Sequence, residues 1–165
     1  MPEAAALEAL LVKQAIYEVV LRYCRGIDRL DMELVRSCYH PGAIDHHTGF
    51  DGERDEFVIW VERALRRLAG SMHMVGNHLV DLDGDVGRSE TYCTAFHLAD
   101  PAVPETVNIT TGLRYVDRFE RRHGEWRIAE RFALREWTRL EPDQRPADPA
   151  EGPVGARGRA DPVYR

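Results

Sequence analysis

Leu7, Leu10, Leu11, Ile16, Val19, Val20, Tyr23, Ile27 and Leu30 recur at steps of three and four residues, which predicts an amphipathic helix from about Glu3 to Leu30. Asp28 follows Cys24 by four residues and Leu21 by seven, so it lies along the edge of the apolar stripe. An ionised group there is costly to bury without a partner. Asp31 is placed to cap a short second helix over Met32 to Cys38, with Glu33 in its first turn, and Tyr39-His40-Pro41-Gly42 ends it. Ala43 to His47 reads as a short strand and Thr48 to Gly52 as a turn. Glu53 to Leu68 reads as a third helix, with Phe57, Trp60, Val61, Ala64 and Leu65 on one face and a stop at Gly70.

The period then changes to two. Met72 to Leu82 alternates, Asp83-Gly84 signals a hairpin, and Val86 to Leu98 follows. Val107 to Glu120 and Trp126 to Trp137 are two more strands, joined by the turn Arg121-Arg122-His123-Gly124. Gly112 inside a strand predicts a bulge or bend in a curved sheet. Helices first and long strands afterwards make an α+β pattern, with the helices on one side of the sheet.

Strand parity sorts the polar residues. His73 shares a face with Val75, and His97 shares one with Cys93 and Ala95. Arg131 is flanked on its face by Ala129 and Ala133, with Trp126, Ile128, Phe132 and Leu134 expected on the other. A long cation between two alanines has room beside it, as a ligand cavity requires. Asn108 and Thr110 share one face of a strand. Asp45, His46 and His47 invite a metal reading, but adjacent strand residues point to opposite faces and no ligand spacing supports it. No metal site is expected. The chain also lacks a dinucleotide fingerprint, a phosphate-cradling loop and a G-x-S-x-G nucleophile elbow.

A length of 165 residues favours one domain with a core of its own. From Glu141 onward the composition shifts: residues 141–165 hold five of the nine prolines. The reading is a domain over residues 1–140 and an extended or disordered tail over 141–165, with Val163 and Tyr164 as candidate anchors. A net charge of −6 argues against nucleic acid as a partner. Cys24, Cys38 and Cys93 form no C-x-x-C pair, and Cys24 and Cys93 are expected to pack as small hydrophobes. Without a signal peptide or a membrane-length apolar run, a cytoplasmic protein is expected.

Three local patterns carry a family resemblance. They are Tyr23-Cys24-Arg25-Gly26-Ile27-Asp28 with Cys38-Tyr39-His40-Pro41, then His73-Met74-Val75-Gly76-Asn77 with Glu90-Thr91-Tyr92, then Gly124-Glu125-Trp126-Arg127-Ile128. With them, residues 5–138 resemble the SnoaL-like branch of the nuclear-transport-factor-2-like superfamily. That resemblance implies a cone-shaped α+β barrel, in which a strongly curved mixed or antiparallel sheet wraps around the N-terminal helices and leaves an apolar cavity. It also implies a homo-oligomer, with a trimer favoured over a dimer.

Family members include scytalone dehydratase, bile-acid 7α-dehydratase and hexachlorocyclohexane dehydrochlorinase, in which a His–Asp dyad removes a proton from the substrate. Carried onto this chain, Asp28 and His73 match the dyad, Tyr23 an orienting tyrosine, and Arg131 a site arginine on the last strand. His97 resembles a second active-site histidine, and His47 falls where dehydratases carry a tyrosine. Asn108 and Thr110 are weaker substrate-binding candidates. A carboxylate that fixes an imidazole in one tautomer makes a general base. The expectation is a cofactor-independent lyase, a dehydratase acting on a hydrophobic cyclic polyketide-, steroid- or terpenoid-like substrate. The alternatives are an isomerase or cyclase using the same dyad, a non-catalytic small subunit of a ring-hydroxylating dioxygenase, or a ligand-binding module.

Overall fold

The computed structural model describes residues 2–103, 106–142, 145 and 147–164. Helix α1 (Pro2–Arg29) is followed by α2 (Met32–Ser37), β1 (Tyr39–His47), β2 (Phe50–Glu53) and α3 (Arg54–Leu65). Four long strands come next: β3 (Leu68–Asp83), β4 (Val86–Ala99), β5 (Ile109–Arg122) and β6 (Glu125–Leu140). They form one six-stranded sheet in the order β2-β1-β6-β5-β4-β3. Only β1 and β6 run parallel; the other neighbours are antiparallel. This is the cone-like α+β fold, with an open sheet whose edges are β2 and β3.

Ile16, Val19, Val20, Tyr23, Cys24 and Ile27 form the buried stripe of α1, at the three- and four-residue spacing of one helix face. The stripe begins later than its sequence suggested, because Leu7, Leu10 and Leu11 are exposed. Asp31 caps α2 by accepting the Leu34 N–H at 3.1 Å. Gly26 lets the two helices meet closely. A Cβ there would lie 2.7 Å from Val35 Cγ2 and 3.0 Å from the Val35 backbone nitrogen.

Bulges bend the sheet and change which residues face inward. The pairing of β5 with β6 shifts between Arg118 and Phe119, leaving Ala129 as the extra residue on β6. Trp126 and Ile128 are therefore buried along with Arg131, rather than on the face opposite to it. A second shift follows Gly112, where the Trp137 ring occupies the space a Cβ would need.

Helix α3 ends at Leu65 rather than Leu68, and β3 starts before Gly70. The guanidinium of Arg157 donates to the carbonyls of both Leu65 and Leu68, at 2.9 and 2.8 Å, and so holds this junction. The C-terminal stretch is thus folded back in short 3-10 turns, contrary to the expectation of an extended or disordered tail. Its second anchor is buried Asp161, which pairs with Arg29 at 3.1 Å and accepts the Ala156 and Val163 N–H groups. Val163 itself is exposed. Residues 143, 144, 146 and 165 of the tail lie outside the described residues. Among the described residues no helix is long and apolar enough to cross a membrane.

Candidate active site

Asp28 lies in the last turn of α1 and His73 on edge strand β3. His73 is hydrogen-bonded through ring Nδ1 to Asp28 Oδ1 at 2.7 Å. Its backbone N–H donates to Asp28 Oδ2 at 2.9 Å. Both carboxylate oxygens are therefore engaged by one residue, which fixes the ring's position and its tautomer, with Nδ1 carrying the proton. Both side chains are almost entirely shielded from solvent. Burial pulls the His73 pKa down, but the hydrogen bond and charge of Asp28 outweigh it, leaving the ring above its ordinary 6.5.

His73 looks into a cavity of about 220 Å³ between the helices and the concave face of the sheet. Its walls are mainly apolar, with Ile27, Trp60, Leu65, Leu113 and Tyr115 among them. Tyr23, His47 and His97 also line it. His97 meets the His73 ring edge-on at 5.6 Å between centroids. Burial, helped by the nearby His73, lowers the His97 pKa to about 4, so this second ring is neutral near pH 7. Burial holds the Tyr23 hydroxyl well above its ordinary pKa, so it remains an O–H donor.

His46 and His47 point to opposite faces of β1. His46 stacks on Phe132 at 4.2 Å on the outer face and bonds to Asp51. His47 lies over Phe57, with ring centroids 5.0 Å apart, and its Nδ1 is hydrogen-bonded to Asp45. Among the described residues no three His, Cys, Asp or Glu side chains converge as a metal site requires.

Four sequence-predicted site residues are not at the cavity wall: Asp28, which reaches it only through His73, and Arg131, Thr110 and Asn108. Arg131 is completely buried behind that wall. Its Nε and Nη2 pair with Asp117 at 2.8 and 2.7 Å, and its guanidinium is sandwiched between the Tyr23 and Tyr115 rings at 4.2 and 4.1 Å. The space beside it, expected from Ala129 and Ala133, is filled by these aromatic rings. Arg131 therefore supports Tyr23 and Tyr115 and does not reach a ligand. Thr110 is on the outer face, where its hydroxyl donates to Glu141 at 3.0 Å; its neighbour Thr111 lines the cavity instead. Asn108 precedes β5 and accepts the Ala99 N–H at 2.7 Å, which makes it a loop clasp.

Sequence reasoning also passed over residues that the structure brings forward. Arg135 lines the cavity and shares the parity of Arg131 and Ala133, a signal that was available. Asp45 was considered only as a metal ligand, although its spacing of two from His47 puts both on one face of a strand. Asp117 had no local signal, because its importance comes from a partner on the next strand.

Residues 8–132 match the family described as the SnoaL-like domain. An uncharacterized protein of Mycobacterium tuberculosis is 29% identical over 119 residues, covering 70% of this chain and 80% of its own length. Among solved structures, hexachlorocyclohexane dehydrochlorinase from Novosphingobium barchaimii superposes with a TM-score of 0.76 at 15% identity, over 87% of this chain and 99% of that one. A candidate scytalone dehydratase from Novosphingobium aromaticivorans gives 0.71 at 17% identity, over 89% and 100%. At such identities the likeness is one of fold.

Proposed function

The chain belongs to the SnoaL-like domain family, and from that premise we propose that it is a cofactor-independent lyase, a dehydratase acting on a hydrophobic cyclic substrate. The observation that carries the reading is the Asp28–His73 pair, tightly joined and shielded from solvent, with the His73 ring set in the wall of an apolar cavity. With Nδ1 held by Asp28, Nε2 is the nitrogen left to take a proton from a carbon next to a carbonyl. Asp28 then stabilises the imidazolium that forms. The Tyr23 hydroxyl donates to the oxygen on which negative charge develops. His97, neutral at working pH, and His47 contact the substrate from the cavity wall.

Cavity size narrows the substrate class. An apolar cavity of about 150 Å³ holds one benzene ring, so about 220 Å³ favours a compact polyketide- or terpenoid-like skeleton of about two rings over a four-ring steroid. The outer face of the sheet exposes Met72, Met74, Tyr92 and Trp137, and it is the surface through which we propose that copies of the chain associate.

The test is turnover. General base catalysis contributes about 10²–10⁴-fold, so His73→Ala and Asp28→Asn should each slow elimination by about that factor while the far-UV circular dichroism is unchanged. Mass spectrometry of the product should show loss of one water. Full rate in either variant removes the dyad from the mechanism, and a product of unchanged mass makes the enzyme an isomerase.

A further inference from the structure

A second imidazole in the cavity wall is wired like the first. His47 and Asp45 lie two apart on β1 and on the same face. Nδ1 of His47 is hydrogen-bonded to Asp45 Oδ1. The other oxygen of Asp45 accepts the Tyr39 hydroxyl at 2.6 Å. Asp45 and Tyr39 are both wholly buried, so the carboxylate is fixed in place as Asp28 is. Phe57 stacks against one face of the His47 ring. With Nδ1 committed, Nε2 is the nitrogen left for a ligand.

The two imidazoles line one cavity from strands toward opposite ends of the sheet. β3 is one edge of the strand order, and β1 stands next to the other edge. Loss of water needs two proton transfers at neighbouring atoms. A base must take hydrogen from carbon, and an acid must protonate the departing hydroxyl, which is a poor leaving group on its own. A single imidazole can serve both only by carrying a proton from one atom to the other. Two imidazoles in one cavity can serve both at once.

We propose that His47, positioned by Asp45, is the general acid that protonates the leaving oxygen. The inference rests on the reading of His73 as the base. In the step, His73 Nε2 takes the carbon-bound proton and the C–H electron pair becomes the new C=C bond. The C–O pair goes to oxygen, which takes its second proton from Nε2 of the His47 imidazolium, and water departs. His47 is left neutral and His73 protonated; exchange with solvent resets both.

A leaving-group comparison tests this, because chloride departs without a proton and hydroxide does not. The probes are 3-hydroxy-1-tetralone and 3-chloro-1-tetralone, two-ring ketones suited to the cavity, with rates corrected for spontaneous elimination. His47→Gln should lose at least about 10²-fold on the hydroxy ketone and no more than about tenfold on the chloro ketone. Asp45→Asn should show the same split. His73→Ala should lose comparably on both. Equal losses on the two ketones in a His47→Gln protein of normal melting temperature, or no loss on either, overturn the acid assignment and leave the base reading intact. Undiminished chloro-ketone turnover in His73→Ala overturns the base reading instead. Wild-type protein inert toward both ketones counts against the paired acid and base as a whole.

Discussion

Two opposed effects on one ring set the pH at which His73 can act. Burial favours the neutral imidazole, and the Asp28 carboxylate favours the imidazolium more strongly. A base must be neutral, so activity should rise with pH through a value above the ordinary 6.5. Asp28→Asn removes the raising effect and keeps the burial. The rising limb of its kcat/KM profile should move to lower pH than that of the wild type, even as its maximum falls. Profiles with the same midpoint would mean that Asp28 does not tune the base. The residue scale also shows what sequence can and cannot reveal. Periodicity put Asp28 at the edge of an apolar stripe and His73 on a face with Val75, and the family resemblance is what joined the two as a candidate dyad. Arg131 was equally visible, but its contacts were not. The bulge at Ala129 and the partnership with Asp117 on β5 decide them, and neither has a local signature. Arg131 is also expensive to disturb, because removing one member of a buried ion pair leaves the other charge without compensation.

Among elements, the junction of α1 and α2 matters most for the site, because Asp28 lies within it. Gly26 is placed where a methyl group would collide with α2, at 2.7 Å from the Val35 side chain and 3.0 and 3.1 Å from backbone atoms of Val35 and Asp31. Alanine ordinarily gains about 0.8–1 kcal/mol over glycine in a helix interior. Here Gly26→Ala should destabilise instead, by about 1–3 kcal/mol for overpacking, and lower turnover as Asp28 is displaced. Urea denaturation measures the first effect, and an unchanged or increased midpoint would show that the helices have room to spare. Helix starts and hairpins were readable because they depend on nearby residues, as with Asp31 and Gly84. The end of α3 was not, because Arg157, far along the chain, supplies the donors that terminate it.

At the scale of the whole molecule, the order of helices and strands indicated an α+β architecture with the helices on one side of a sheet, and the cone-like form came from the family resemblance. The course of the C-terminal stretch was hidden. Its composition resembles a solvated tail, and its anchors, Arg157 and Asp161, act on residues about ninety or more positions away. The exposed apolar outer face belongs to the same scale. If copies associate through it, Met74→Lys combined with Trp137→Lys should shift the wild-type oligomer to monomer in light scattering, with the fold retained. An unshifted mass would place the contact elsewhere. One consequence follows from the proposed base, His73, being carried on the outermost strand. The Asp28 carboxylate takes the main-chain hydrogen that a further strand would otherwise receive, so a single side chain both trims the border of the sheet and arms the imidazole. Local fraying at that border costs less free energy than melting the interior. On the proposed reading, activity should therefore be lost at a gentler perturbation than the one needed to unfold the protein.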